Sequence, residues 1–84
     1  RLKMGEGFIG QVAQSGKPII CGDCVNDSRY FAARRRTRSE MVAPIISNDK
    51  VIGVFDLESD VLDAYHKDDL AMLQLLASQV AIII

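Results

Sequence analysis

Residues 39–59 read SEMVAPIISNDKVIGVFDLES. Two apolar runs, 41–46 and 51–57, flank the polar tetrapeptide Ser47-Asn48-Asp49-Lys50. Val, Ile and Phe fit a pleated surface, and Asn and Asp tolerate the positive φ of a tight hairpin turn. The spacing predicts a β-hairpin over 39–59. In the first run both alternating sets are apolar, Met41/Ala43/Ile45 and Val42/Pro44/Ile46, which predicts a strand covered on both faces. The second run turns polar at its end. Asp56 and Glu58 fall on one face, Phe55 and Leu57 on the other. The hairpin is therefore expected at the centre of a sheet, with one face opening onto something polar.

Upstream, Phe8, Ile9, Val12 and Ala13 recur at helical spacing behind the turn signal Gly5-Glu6-Gly7. Gly16 suits a helix C′ position and Pro18 cannot continue a helix, so the pattern predicts a short helix over 7–15. Residues 1–4 alternate like the tail of a strand, and 18–21 form a short strand that ends at Gly22-Asp23. Residues 25–30 read as loop. Residues 31–38 read as a short helix or loop, strongly basic. Downstream, 60–65 is a connection and 66–84 a C-terminal helix. Asp68 and Asp69 lie in its first turn, where the positive end of the helix dipole favours them. Leu70, Leu73, Ala77, Val80, Ala81 and Ile84 make one apolar stripe. Met72, Leu75, Leu76, Ile82 and Ile83 widen it beyond what one core face needs. That surplus predicts a homodimer formed through this helix.

Eighty-four residues allow one domain, and 49% hydrophobic content can build its core. A net charge of −1 gives no field that draws nucleic acid, so no nucleic-acid partner is expected. The charge-free run 70–84 is too short to span a bilayer unaided, so membrane insertion is not expected. The opening residues are charged, and the expected location is cytoplasmic. The chain starts at Arg1 and stops inside an apolar run, which suggests a piece of a longer protein.

Three motifs invite chemistry. Gly5-x-Gly7-x-x-Gly10 fits the dinucleotide-binding expression, but its helix is short, and the plainer reading is a turn followed by close helix packing. Cys21-Gly22-Asp23-Cys24 has redox spacing. Without a clear helix terminus or two further metal ligands, the plainer reading is a pair of half-buried thiols acting as small hydrophobes. Arg34-Arg35-Arg36-Thr37-Arg38 could meet a phosphate or carboxylate, or form a solvated loop. His66 reads as a surface residue at a helix start. No Ser-His-Asp or Cys-His set is present in the pattern. Asp56 and Glu58 share a face, but no base or nucleophile converges on them in sequence.

The ordered set of these features resembles the GAF domain. It comprises Gly5-x-Gly7-x-x-Gly10-x-Val12, Gly16-Lys17-Pro18, Asp23, Asp27, Thr37-x-Ser39-Glu40 and Pro44-Ile45. It continues with Val51-Ile52-Gly53-Val54-x-Asp56-Leu57-Glu58-Ser59 and Asp69-Leu70-x-x-Leu73-x-x-Leu76-Ala77-x-Gln79. The resemblance runs the length of the chain and covers the C-terminal half to two-thirds of the family's domain. It implies an α+β fold, a GAF-like antiparallel sheet with flanking helices, here lacking the family's N-terminal helix and first strands. Residues 1–84 would form one partial domain. The implied function is a sensory or regulatory module of a signalling protein that binds a small molecule, dimerises, or both, and so controls an attached output domain.

Subfamily marks narrow this expectation. Members that bind cyclic nucleotides carry an Asn-Lys pair where this chain has Glu58-Ser59. Free-methionine sulfoxide reductases of the family carry cysteines where this chain has Ile9 and residues of the arginine run. The expectation is thus that the chain is not an enzyme, with a related reductase or a ligand-free dimerisation domain as alternatives. No metal site is expected, and the pattern names no particular cofactor. The resemblance places a ligand pocket on the open side of the sheet. Phe8 and Ile9 stand at the helix start, and the loop before the hairpin brings Tyr30 and Thr37 near. Asp56 interrupts an apolar strand face, where a carboxylate is costly to bury without a partner. It would meet water, an arginine of 34–38, or a ligand's hydrogen-bond donor.

Overall fold

The computed structural model describes residues 7–27 and 37–83. The expectations for residues 1–4, Tyr30 and the arginines at 34–36 lie outside them. The fold is α+β: an antiparallel sheet with a helix packed on each face. In chain order the elements are α1 (Gly7–Ser15), β1 (Ile19–Cys21), a 3₁₀ turn (Cys24–Asn26), β2 (Ser39–Ser47), β3 (Lys50–Ser59) and α2 (Lys67–Ile83). The sheet order is β1-β2-β3, so β2 is the central strand.

The hairpin turns as its sequence demands. Asn48 and Asp49 have φ of 51° and 64°, the pair of positive values that a two-residue type I′ connection needs. Ser47 pairs with Lys50 and Ile46 with Val51, but Ile45 pairs with Gly53. Ile52 is the extra residue of a β-bulge. Beyond it the register runs evenly to Ser39↔Ser59. Strand β2 is buried from Ser39 to Ile45, because elements cover both of its faces.

On one face α1 lays Phe8 and Val12 on Val42, with Cys21, Cys24, Ile19 and Val54 around them. Gly7 opens this helix at φ 61° and Gly16 closes it at φ 73°, its N–H donating to the Val12 carbonyl at 2.9 Å. Val12 and Val42 are fully buried, worth about 1.5–3 kcal/mol apiece in transfer free energy. On the other face Leu73 of α2 packs on Met41 and Ala43, with Ile20, Phe55, Tyr65 and Leu70 alongside. The start of α2 is capped locally. The Asp69 carboxylate accepts the His66 N–H at 2.8 Å, and the His66 carbonyl accepts Leu70 N–H at 3.1 Å.

The α2 stripe is partly used. Leu73 and Ala77 are buried and Leu70, Val80 and Ala81 half-buried, while Met72, Leu75, Leu76 and Ile82 stand exposed. Among the described residues no helix is long and apolar enough to cross a membrane.

The link from β3 to α2 folds back over the sheet end. Ser39 Oγ donates to the Val61 carbonyl at 2.6 Å and accepts the Ala64 N–H at 3.3 Å. Asp63 N–H donates to the Gly22 carbonyl at 3.0 Å. A Cβ on Gly22 would come within 2.0 Å of Asp63 Oδ1, so a larger residue there would displace the Asp63 carboxylate.

A carboxylate cluster on the α1 face of the sheet

Directly opposed residues of an antiparallel ladder point to the same side. The register therefore builds two rows across the α1 face. One row is Ile19–Val42–Asp56 and the next is Cys21–Glu40–Glu58. An apolar centre, Val42 under Phe8 and Val12, passes within one strand step into a polar end.

At that end Glu40, Asp56 and Glu58 each offer a carboxylate oxygen, and all three lie within 4.8 Å of one another. Glu40 is buried at 5% exposure. Burial pushes its carboxyl up to about 9, helped by a hydrogen bond shared with Asp56 and by the charges of Asp56 and Glu58. At neutral pH Glu40 thus holds a proton, which its contact with Asp56 uses. Thr37, itself buried, donates its hydroxyl to Glu58 Oε1 at 2.5 Å. These contacts leave the site with a neutral acid beside two carboxylates. Their oxygens together form a set of acceptors that can take the N–H donors of an ammonium group or ligate a cation.

The thiols border the same rows. Cys21 Sγ donates to Asp27 Oδ2 at 3.3 Å. Burial raises the Cys21 thiol, and the Asp27 hydrogen bond raises it further. Burial pushes Cys24 up to about 12, with its hydrogen bond to Cys21 adding to the effect. Both are free thiols that pack in the core with Phe8 and Val42. Behind the sheet, burial raises the Tyr65 phenol, and the charges of Asp56, Glu58, Glu40 and Asp69 act in the same direction.

Of the residues expected around a pocket, Thr37 and Asp56 are brought together through Glu58 and Glu40. Phe8 lies in the core beneath α1 at 3% exposure, and Ile9 is half-buried beside it. Tyr30 lies outside the described residues. Sequence reasoning did not single out Glu40 as a site residue, because it stands next to an apolar run and reads as the polar edge of a strand. On the opposite face, Met41, Leu57, Ala64, Tyr65, Asp69, Met72, Leu73 and Leu76 line a cleft of about 290 Å³.

The chain belongs to the GAF domain family, whose model matches residues 1–84. It is 30% identical over 69 residues to GAF domain-containing protein A of Dictyostelium discoideum, covering 82% of this chain and 44% of that protein. It is 32% identical over 77 residues to the free methionine-R-sulfoxide reductase of Saccharomyces cerevisiae, covering 90% of this chain and 43% of that one. The solved free methionine-R-sulfoxide reductase of Neisseria meningitidis, in complex with its substrate, superposes with a TM-score of 0.92. The match is 30% identical over 96% of this chain and 48% of the other. The chain spans less than half the length of the curated relatives it matches. These matches overturn the expectation that the chain is not an enzyme. Its relatives include GAF-fold reductases at 30–32% identity, as close in sequence as GAF domain-containing protein A. The expectation had rested on cysteine positions alone, and those do not define the fold around the carboxylates.

Proposed function

We propose that this chain forms the recognition face of a GAF domain that binds a small amino-acid-like molecule. Asp56 and Glu58 receive the ligand's ammonium group, and Glu40 holds a proton beside them. The observation that carries this reading is the Glu40–Asp56–Glu58 cluster, set by strand register at the edge of an apolar face. A buried Glu40 beside two half-buried acids is costly unless a cation or shared protons offset the repulsion. Thr37 fixes the Glu58 carboxylate, and Phe8 and Ile9 give the apolar wall. The reductase relatives favour a ligand that is the sulfoxide of a free amino acid, reduced in place.

The test is calorimetry on the full-length protein with free methionine sulfoxide and with dimethyl sulfoxide, which lacks the ammonium group. The first binds and the second does not. Asp56→Asn and Glu58→Gln each weaken binding tenfold or more, since a charge-assisted hydrogen bond is worth roughly 1.5–3 kcal/mol. Unchanged affinity in both variants overturns the reading.

A regulatory role through a second copy has its own support. Met72, Leu75, Leu76 and Ile82 leave an exposed apolar strip along α2 beside the stripe that packs on β2. In this reading the strip pairs two copies, and ligand binding on the α1 face biases the pair. Light scattering on the full-length protein with Leu75→Glu and Leu76→Glu checks it. The substituted protein is monomeric where the parent is dimeric, and a monomeric parent overturns it.

A further inference from the structure

We infer that Cys21, Cys24 and Asp27 form a site for one zinc ion, a clip that ties the end of β1 to the 3₁₀ turn after it. The inference stands apart from the ligand reading above. Three observations carry it. First, the donors converge within one short segment. Cys21 Sγ lies 3.3 Å from Asp27 Oδ2 and is hydrogen-bonded to Cys24. Zinc bonds of about 2.3 Å to sulfur and about 2.0–2.2 Å to oxygen, opened to the tetrahedral angle, set those two atoms about 3.5 Å apart. The Cys21–Asp27 pair is therefore spaced as two corners of such a tetrahedron. Second, the backbone holds the segment in place. Asp27 N–H donates to the Cys24 carbonyl at 3.1 Å, which folds Asp27 back toward the thiols. Cys24 N–H donates to the Arg38 carbonyl at 2.8 Å, and the Gly22 carbonyl accepts Asp63 N–H at 3.0 Å. The backbone amide of Asp23 favours negative charge on the Cys21 sulfur, as outer-shell donors do for a ligand thiolate. Third, both thiols are buried against Phe8, Val12 and Val42, an apolar shell that keeps water off a metal centre.

The donor set selects the ion. Two soft sulfurs with one carboxylate suit zinc, whereas the all-oxygen group Glu40, Asp56 and Glu58 suits harder cations. Three protein ligands leave the fourth corner to water. Without metal, burial keeps the thiols protonated, and Cys21 spends its proton on Asp27. A coordinated thiol is deprotonated outright, so zinc replaces the two thiol protons, which pass to solvent. Asp27 then exchanges the Cys21 S–H for the metal. Binding fixes the end of β1, where Cys21 stands opposite Glu40. The clip thereby stiffens the border of the carboxylate cluster without touching its acids.

The experiment uses reduced full-length protein, stripped with a chelator and titrated without air, first with cobalt(II) as a coloured stand-in and then with zinc. Expected are a sulfur-to-cobalt charge-transfer band and the visible bands of a tetrahedral site. They saturate at one cobalt per chain and are bleached by one zinc. Zinc also raises the melting temperature of the parent. Cys21→Ser with Cys24→Ser loses the charge-transfer band. Asp27→Asn keeps both sulfurs and the band, but binds zinc about tenfold or more weakly. A parent that takes up no cobalt overturns the inference. So does a parent that takes it up without the charge-transfer band, as oxygen ligands alone do. Neither of these results depends on whether a variant folds. A double cysteine variant that retains the band, or an unchanged zinc affinity in Asp27→Asn, overturns the three-ligand site as well. None of these outcomes bears on the ammonium reading, which calorimetry with the sulfoxide tests separately.

Discussion

The two faces of this sheet are covered in different ways. On the α1 face a nine-residue helix closes over Val42 with Phe8 and Val12, and the space beyond it is filled with buried polar groups: Glu40, Thr37 and two thiols. On the α2 face a seventeen-residue helix uses only part of its apolar surface. Leu73 and Ala77 reach the sheet while Leu75 and Ile82 stand exposed. The smaller helix seals its side, and the longer one brings more apolar surface than the sheet can take. Titratable groups collect on the sealed side, where low polarity shifts protons and strengthens contacts between charges. The surplus surface on the other side is suited to a partner.

The contrast can be tested by substitution. The largest effect is expected at the centre of the sealed face. Val42→Ala removes two buried methyl groups from a fully enclosed position and should cost about 2 kcal/mol in urea unfolding. A cost near zero would mean that this face is not packed as described.

Ser39→Ala tests the seam between the faces. Its hydroxyl holds both Val61 and Ala64 from a position with no solvent exposure. Losing it should cost roughly 1–2 kcal/mol and speed amide exchange in the connection before α2.

Glu40→Gln sharpens the electrostatic half of the comparison. The folded Glu40 carboxyl sits at about 9 against an ordinary 4.5, so the folded protein binds a proton that the unfolded chain releases between those values. Its contribution is complete below pH 4.5 and is lost as the pH climbs through about 9. Denaturation midpoints of the parent should therefore fall from pH 5 to pH 9, and Glu40→Gln should flatten that fall. An equally steep fall in the variant would place the responsible proton elsewhere.

The smallest effect is expected on the open face. Leu75→Ser should change the stability of a single copy by less than about 0.5 kcal/mol, as exposed positions do. A larger, concentration-dependent loss would reveal that a second copy covers the helix.

Much of the architecture was legible before any coordinates. Asn48-Asp49 announced a two-residue turn, and the doubly apolar run 41–46 announced a central strand. Gly16 and Pro18 marked the end of α1, and the breadth of apolar residues on α2 announced its exposed strip. Local geometry decides such features, so local residues encode them. Asp56 was legible as a carboxylate interrupting an otherwise apolar strand face, while Thr37 was named only through the family resemblance. The basic stretch 31–38 carries no such periodicity to read.

The carboxylate cluster was a different matter. Continued from the turn without interruption, the hairpin register would set Glu40 opposite Leu57 and turn it away from Asp56 and Glu58. The bulge at Ile52 shifts the pairing by one residue and brings the three acids onto one side. β1 then sets Cys21 opposite Glu40. The sequence by itself determined the strands, the turn, the helices and the family they belong to. Only the tertiary structure decided which acids and thiols meet, because a single extra residue in a ladder exchanges the faces of every side chain beyond it.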